Sequence, residues 1–196
     1  MQSNIGFQGA LTLQHIKPRG PGLLWKLSNA RHVVPGLARH AIARTLGMNH
    51  MLGSLRLRHF KASGECVDYG LVSTALVTTA FCAFMVDQLI TETSAWGDFK
   101  YHDSGAGTTD PNITDTDIET TDNQSRSTGT QVESSAVIYE SVGTISYTDT
   151  LAITEHGLFN ASTGVTLMDR HEFSAVNVVS GDSIQFTYDL TCTAGG

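Results

Sequence analysis

The chain has 196 residues, of which 40% are hydrophobic and 16% are charged. This is enough to bury one sizeable core and a small appendage. Three cysteines without paired spacing indicate neither a disulfide framework nor a zinc ribbon, and the first residues lack the pattern of a secretion signal. We therefore expect a soluble globular protein with reduced thiols that is made in a cytoplasm.

Charge is divided unevenly along the chain, although the total is only −7. Residues 1–64 carry nine cations and no acid, which is a net charge of +9. Residues 65–196 carry three cations and 19 acids, which is a net charge of −16. This asymmetry predicts a basic N-terminal arm over residues 1–64 and an acidic body over residues 65–196.

The arm is predicted to be mostly extended, because Pro and Gly interrupt it repeatedly. Only residues 36–47 could form a short helix, with Leu37, Ile42 and Leu46 on one side. The aromatic residues are too sparse to stack on nucleic acid, so an anionic protein surface is the preferred partner. The residues expected to contact that partner are Lys17, Arg19, Leu23, Leu24, Trp25, Lys26, Arg31, Val33, Val34, Arg39, Arg44, Arg56, Arg58 and Lys61.

The next segment, "YGLVSTALVTTAFCAFMVDQLI", has no charge between Asp68 and Asp87. Its Ser, Thr and Gly residues and the lack of basic flanks argue against a membrane span. A β-strand followed by a helix over residues 79–93 explains the pattern better, and Thr78 or Thr79 could cap this helix. Phe81, Phe84, Met85, Leu89 and Ile90 would then face the core.

From Trp96 onward the chain alternates short β segments with turns. In "DSIQFTYDLT", apolar residues occupy every second position, as in a strand with one buried face. The fold class is therefore mainly β: an antiparallel β-sandwich or jelly-roll-like body with one helix, preceded by the extended arm. The Thr- and Asp-rich residues 105–130 are typical of a surface loop. They lack the EF-hand spacing, although a loop calcium site is an alternative to a solvated acidic loop.

The stretch "ITEHGLFNASTGVTLMDRHEF" predicts a β-hairpin. If Phe159 faces Val165, His156 and His171 are offset along the ladder, which favours surface or inter-subunit hydrogen bonds over a metal site. His102 is the only further imidazole in the acidic half. "SGDSI" opens the last strand, and its "SGD" is interpreted as a turn, since no histidine follows Ser183 as a hydrolase would require. No catalytic residue, metal or cofactor is predicted, and the protein is not expected to be an enzyme.

Four phrases together carry a family resemblance: "GLVSTALVTTAFCAFMVDQL", "DFKYHDSGAGTT", "SRSTGTQ" and the stretch from Ile153 to Thr191. In this order they resemble small virion structural proteins of tailed double-stranded-DNA bacteriophages, over about residues 70–196. The resemblance implies a capsid decoration or cement protein, assembled in the host cytoplasm and located in the virion. Its partners would be the major capsid protein and neighbouring copies of itself, with a trimer as the expected oligomer.

Three other functions are consistent with the same residues. A tail, neck or fibre-attachment protein would use the arm to anchor the body. A DNA-binding packaging protein would place the arm on phosphates. A glycan hydrolase would require Glu155, Asp169 and Glu172 to line one cleft.

Overall fold

The computed structural model describes residues 18–75, 77–90, 98–121, 125–164 and 166–193. Within these ranges, two helices and nine strands follow one another. They are α1 (Leu23–Thr45), β1 (His50–Phe60), β2 (Cys66–Ala75), α2 (Thr79–Ile90), β3 (Tyr101–Gly105), β4 (Ser127–Thr128), β5 (Thr130–Ser135), β6 (Ile138–Ser146), β7 (Leu151–Phe159), β8 (Leu167–Val178) and β9 (Ser183–Thr193). The prediction of a mainly β protein is confirmed.

The strands form two antiparallel sheets. The first sheet has the order β2-β1-β9-β6-β5, and the second has the order β4-β3-β7-β8. Strand β9, the last in the chain, lies at the centre of the first sheet between β1 and β6. The first sheet therefore depends on pairing between β1 and β9, the first and last strands of the described chain.

One apolar core joins the two sheets. It contains Leu55 and Phe186 from the first sheet and Ile153, Phe173 and Val176 from the second, all nearly or completely buried. The predicted alternation in β9 is confirmed, because its apolar positions are 0–5% exposed: Ile184, Phe186, Tyr188 and Leu190. The predicted turn before β9 is also present, with Gly181 at a φ of 89°.

Helix α1 corrects the prediction that the N-terminal segment is extended. It begins 13 residues before the predicted short helix and continues through Pro35. Proline inside a helix costs roughly 3 kcal/mol, because it removes a backbone donor and crowds the preceding turn. Packing offsets this cost here, since Asn29, His32 and Gly36 are buried on the side that faces the sheets.

Helix α1 covers an open side of the molecule where edge strands of both sheets meet. The Asn29 side-chain amide donates to the carbonyl of Val72 in β2 at 2.7 Å, and its oxygen accepts from the backbone amide of Ser174 in β8 at 2.8 Å. Trp25 Nε1 donates to the carbonyl of Ala175 at 3.0 Å, and its indole meets Tyr69 edge-on. The helix thus satisfies backbone groups that an uncovered sheet edge would expose.

The remainder of the predicted arm also belongs to the sheets. Strand β1 pairs with β2 on one side and β9 on the other. Arg19 forms a bridge with Val67 at the outer edge of β2. Residues 18–60 are therefore a helix and sheet components rather than an extended arm, because β1 supplies buried core residues such as Leu55 and Leu57.

Helix α2 begins where the sequence predicts. The hydroxyl of Thr78 accepts a hydrogen bond from the Phe81 amide at 3.1 Å and donates to the carbonyl of Leu167. Phe81 and Phe84 pack on Phe99 in edge-to-face contacts. Leu89 and Ile90 are each 81% exposed, so their predicted burial is wrong. Predicted helix residues 91–93 lie outside the described part of the chain.

Candidate functional site

The outward face of α1 is apolar and basic. Seven of its exposed or flanking apolar side chains are 44–82% accessible: Leu23, Leu24, Leu27, Val34, Leu37, Ile42 and Leu46. Exposed Lys26, Arg39 and Arg44 lie among them, and the helix contains no acid. We call this surface the α1 face. A large apolar patch with a polar rim is typical of a surface that contacts another protein.

The predicted partner-binding residues differ in their exposure and in their contacts. Leu23, Leu24 and Val34 lie exposed on α1, whereas Trp25 and Val33 are half-buried, and Trp25 is bonded within the chain. Arg19, Lys26, Arg31, Arg39 and Arg44 are exposed at or near α1. Lys17 lies outside the described residues.

The three cations in and after β1 have acidic partners within the chain. Arg56 contacts Asp189 at 2.8 Å, Arg58 contacts Asp68 at 3.1 Å, and Lys61 contacts Glu65 at 2.7 Å. These cations lie on β1 or directly after it rather than on α1, and their charges are partly neutralised. Among the described residues, most of the exposed cations without such close acidic partners are therefore on α1.

Two of the three cations in residues 65–196 are buried in ion pairs. The side chain of Arg126 is 8% exposed and contacts Asp103 at 3.1 Å. The side chain of Arg170 is 3% exposed and contacts Glu155 at 2.8 Å. The sequence showed these arginines only as scarce cations, without indicating burial. Since they are removed from the surface, the outer charge of this region is predominantly negative.

Glu155 organises the predicted surface loop. Its fully buried carboxylate accepts backbone hydrogen bonds from Gly107, Glu119 and Thr120, at 2.8–2.9 Å, in addition to the bond from Arg170. Arg170 also contacts Asp115 and Glu119. In the described ranges, no three or more His, Cys, Asp or Glu side chains are arranged so that they could hold a metal ion. The loop is irregular, as predicted, but its acids are largely used to hold it against β7 and β8.

The register of the β7-β8 hairpin differs from the prediction. Phe159 pairs with Leu167, and His156 lies directly opposite His171. The pairing is irregular between Leu158 and Phe159, where β8 contains one extra residue. This extra residue shifts the register of all pairs farther from the turn. The prediction that the two histidines are offset is therefore wrong.

These histidines also lie inside the protein rather than on its surface. His102, His156 and His171 are all 0% exposed, on the face of the second sheet that meets the first. His102 Nδ1 lies 2.9 Å from His156 Nε2, and His102 Nε2 lies 2.9 Å from the Ser141 hydroxyl in β6. Gly143 makes room for the His102 ring, because a Cβ there would approach its Cδ2 to 2.4 Å.

Burial determines the protonation of His102 and His156. It lowers the pKa of His102 from 6.5 to about 3. Burial, together with the neighbouring His102 and His171, also holds the pKa of His156 well below 6.5. Nearby Asp169 contacts the Tyr188 hydroxyl at 3.3 Å, and burial raises the pKa of its carboxyl. His102 and His156 are thus neutral polar groups in the core.

The three acids required for the glycan-hydrolase alternative do not share a cleft. Asp169 faces the first sheet, where it contacts Tyr188. Glu155 and Glu172 pair across β7 and β8 and face the opposite way, toward the loop and α1 respectively. Adjacent strand positions point to opposite faces, which separates the acids.

Comparison with known proteins gave no match to a family model, to a curated protein or to a solved structure. Among the described residues, no helix has both the length and the apolar character that a bilayer span requires.

Proposed function

We propose that this protein is a non-enzymatic structural component of a bacteriophage virion, and specifically a decoration protein on the capsid. The α1 face is the observation that carries the proposal, because it offers exposed leucines and cations on one rigid helix. Such a surface suits a large, permanent protein contact rather than a transient one. The resemblance of residues 70–196 to small phage virion structural proteins supports the same proposal.

The partners we propose are the major capsid protein and neighbouring copies of this chain, in a trimer. The negative charge of residues 65–196 complements the basic α1 face of a neighbour. The body would be a two-layer β-sandwich of jelly-roll-like type, whose rigid sheets hold the helix in place. Apolar anchors such as Leu24 and Leu27 would dominate the binding free energy, since exposed ion pairs contribute little.

The same face could attach the protein to a tail or neck instead of the shell. DNA is a weaker candidate partner, because phosphate binding uses cations and gains nothing from exposed leucines. The number of copies in a particle separates these possibilities. A shell protein is present in a simple ratio to the major capsid protein, whereas a tail or neck protein has only a few copies.

The test is quantitative mass spectrometry of purified particles made with wild-type protein or with Leu24→Asp. We expect a simple ratio to the shell subunit for the wild type and a loss of incorporation of about tenfold or more for the variant. Val132→Asp, at a 50% exposed position on the distant strand β5, is the matched control and should be incorporated normally. Absence of the wild-type chain from particles would refute the proposal.

A further inference from the structure

A small cavity lies between α1, the end of β2, residues 110–113 and β8. Its volume is about 240 Å³. This is below the range of pockets for drug-sized ligands, so it suits a molecule of only a few heavy atoms. The cavity lies beside the α1 face: His32 and Gly36 line it from the side of the helix that turns toward the sheets, and Arg39 of the α1 face lies at its opening.

One end of the cavity is acidic. Glu172 is 3% exposed, and its Oε2 atom has no hydrogen-bond partner. The nearest donor, His32 Nδ1, is 3.5 Å away. His32 Nε2 accepts a hydrogen bond from Arg31, which makes the imidazole a neutral, weak partner. Asp110 lines the same cavity. Leaving a buried carboxylate oxygen without a donor is unfavourable, so this end is suited to receive a charged donor.

The pKa of Glu172 supports this description. Burial raises it, Arg31 lowers it, and Asp110 raises it through its charge and through a side-chain hydrogen bond. A positively charged group bound here would offset the like charge of Asp110. An ammonium group supplies three donors and a compensating charge.

Basic side chains lie beside the same acids. Arg31 Nη2 is 3.6 Å from Glu172 Oε1, and the Arg31 side chain is 72% exposed. Arg39 also lines the opening. Acidic and basic groups therefore lie next to each other. Pro35 and Ile113 provide apolar wall beside them.

We propose that this cavity binds a small α-amino acid. Its ammonium group lies against Glu172 and Asp110, its carboxylate lies against Arg31 and Arg39, and a short apolar side chain contacts Ile113. An α-amino acid carries its two charges on neighbouring groups, which matches the adjacent acid and base of the cavity. This binding site does not depend on assembly into a virion.

The first experiment uses the full-length protein and three related ligands in isothermal titration calorimetry. L-Valine carries both charges, isovalerate lacks the ammonium group, and isobutylamine lacks the carboxylate. We expect saturable binding of L-valine below about 10 mM and binding at least about tenfold weaker for the other two. Equal binding of all three, or no saturable binding of L-valine, would overturn the proposal.

The second experiment compares variants. Glu172→Gln keeps the size of the side chain and removes its charge, and Asp110→Asn does the same at an exposed position where folding is not at risk. Both should weaken L-valine binding by about tenfold, because a charge-assisted hydrogen bond is lost. Glu133→Gln, the same change at an exposed acid on the distant strand β5, should bind normally. Unchanged binding in both acid variants, with circular dichroism showing native folds, would contradict the assignment.

Discussion

At the residue scale, the buried histidines make the protein sensitive to acid. A neutral histidine with a folded pKa of about 3 must take up a proton on unfolding at any pH between about 3 and 6.5. The unfolded state therefore binds more protons in this window. Stability from His102 is complete above about pH 6.5 and is lost progressively as the pH falls toward about 3.

His102→Asn tests this link, because asparagine can hydrogen-bond but does not titrate. We expect the loss of unfolding free energy with falling pH to be shallower in the variant by as much as about 1.4 kcal/mol per pH unit. Urea unfolding between about pH 4 and 8 measures the slope. The slope of the variant must be compared with the slope of the wild type, because other groups also titrate in this range. Burial raises the pKa of Asp189 to about 6, so its contribution to stability changes with pH in the opposite direction.

Ser141→Ala is the control for the histidine prediction. It removes the 2.9 Å partner of His102 Nε2 and leaves the titrating groups unchanged. It should lower stability by about 1–2 kcal/mol at all pH values and preserve the slope. Identical slopes for His102→Asn and the wild type would show that His102 does not contribute to acid sensitivity.

At the scale of structural elements, the loop over residues 106–121 depends on one carboxylate. Glu155→Gln replaces the two carboxyl oxygens that accept from three backbone amides and from Arg170 by an amide with a single acceptor oxygen. We expect a loss of about 3 kcal/mol and faster hydrogen exchange at the Gly107 and Thr120 amides. Exchange measured by NMR gives the site-specific result. Glu133→Gln, exposed on β5, should leave these rates unchanged.

Helix α1 should contribute to stability through one face only. Trp25→Ala removes the indole that bonds to β8 and contacts Tyr69, and we expect a loss of about 2–3 kcal/mol. Leu24→Ala, at an 82% exposed position on the same turn, should change stability by less than about 0.5 kcal/mol. Chemical denaturation of both variants distinguishes the two faces, and equal effects would mean that the inner face does not hold the helix.

At the scale of the whole molecule, the separation of basic and acidic surfaces predicts how salt affects the proposed association of copies through the α1 face. The α1 face is basic and apolar, and the remainder of the surface is mainly acidic. Exposed ion pairs are weak and screened by salt, whereas apolar contacts are not weakened by it. We expect the dissociation constant of self-association to rise by no more than about tenfold between about 0.05 and 0.5 M salt.

Sedimentation velocity over this salt range checks the prediction. Binding to DNA would instead weaken by several orders of magnitude over a smaller range, because counterions are released at every phosphate contact. A protein that stays monomeric at low salt, and that binds DNA with such a steep dependence, would contradict assembly through the α1 face.

Local sequence patterns determined a substantial part of this structure. The alternation of Ile184, Phe186 and Tyr188 defined β9, and the position of Thr78 before an apolar segment defined the start of α2. These features follow from strand and helix geometry within a few residues, so they do not need a partner elsewhere in the chain. The uneven charge distribution was likewise visible without a structure.

Only the tertiary structure decided the remaining features. A helix that passes through Pro35 is stabilised by two sheet edges far away in the sequence, and local propensity does not contain that contribution. One irregularity near Phe159 brings His156 opposite His171, and their burial depends on the facing strands β6 and β9. Long-range packing thus determined which polar residues are internal and which helix face is left for a partner.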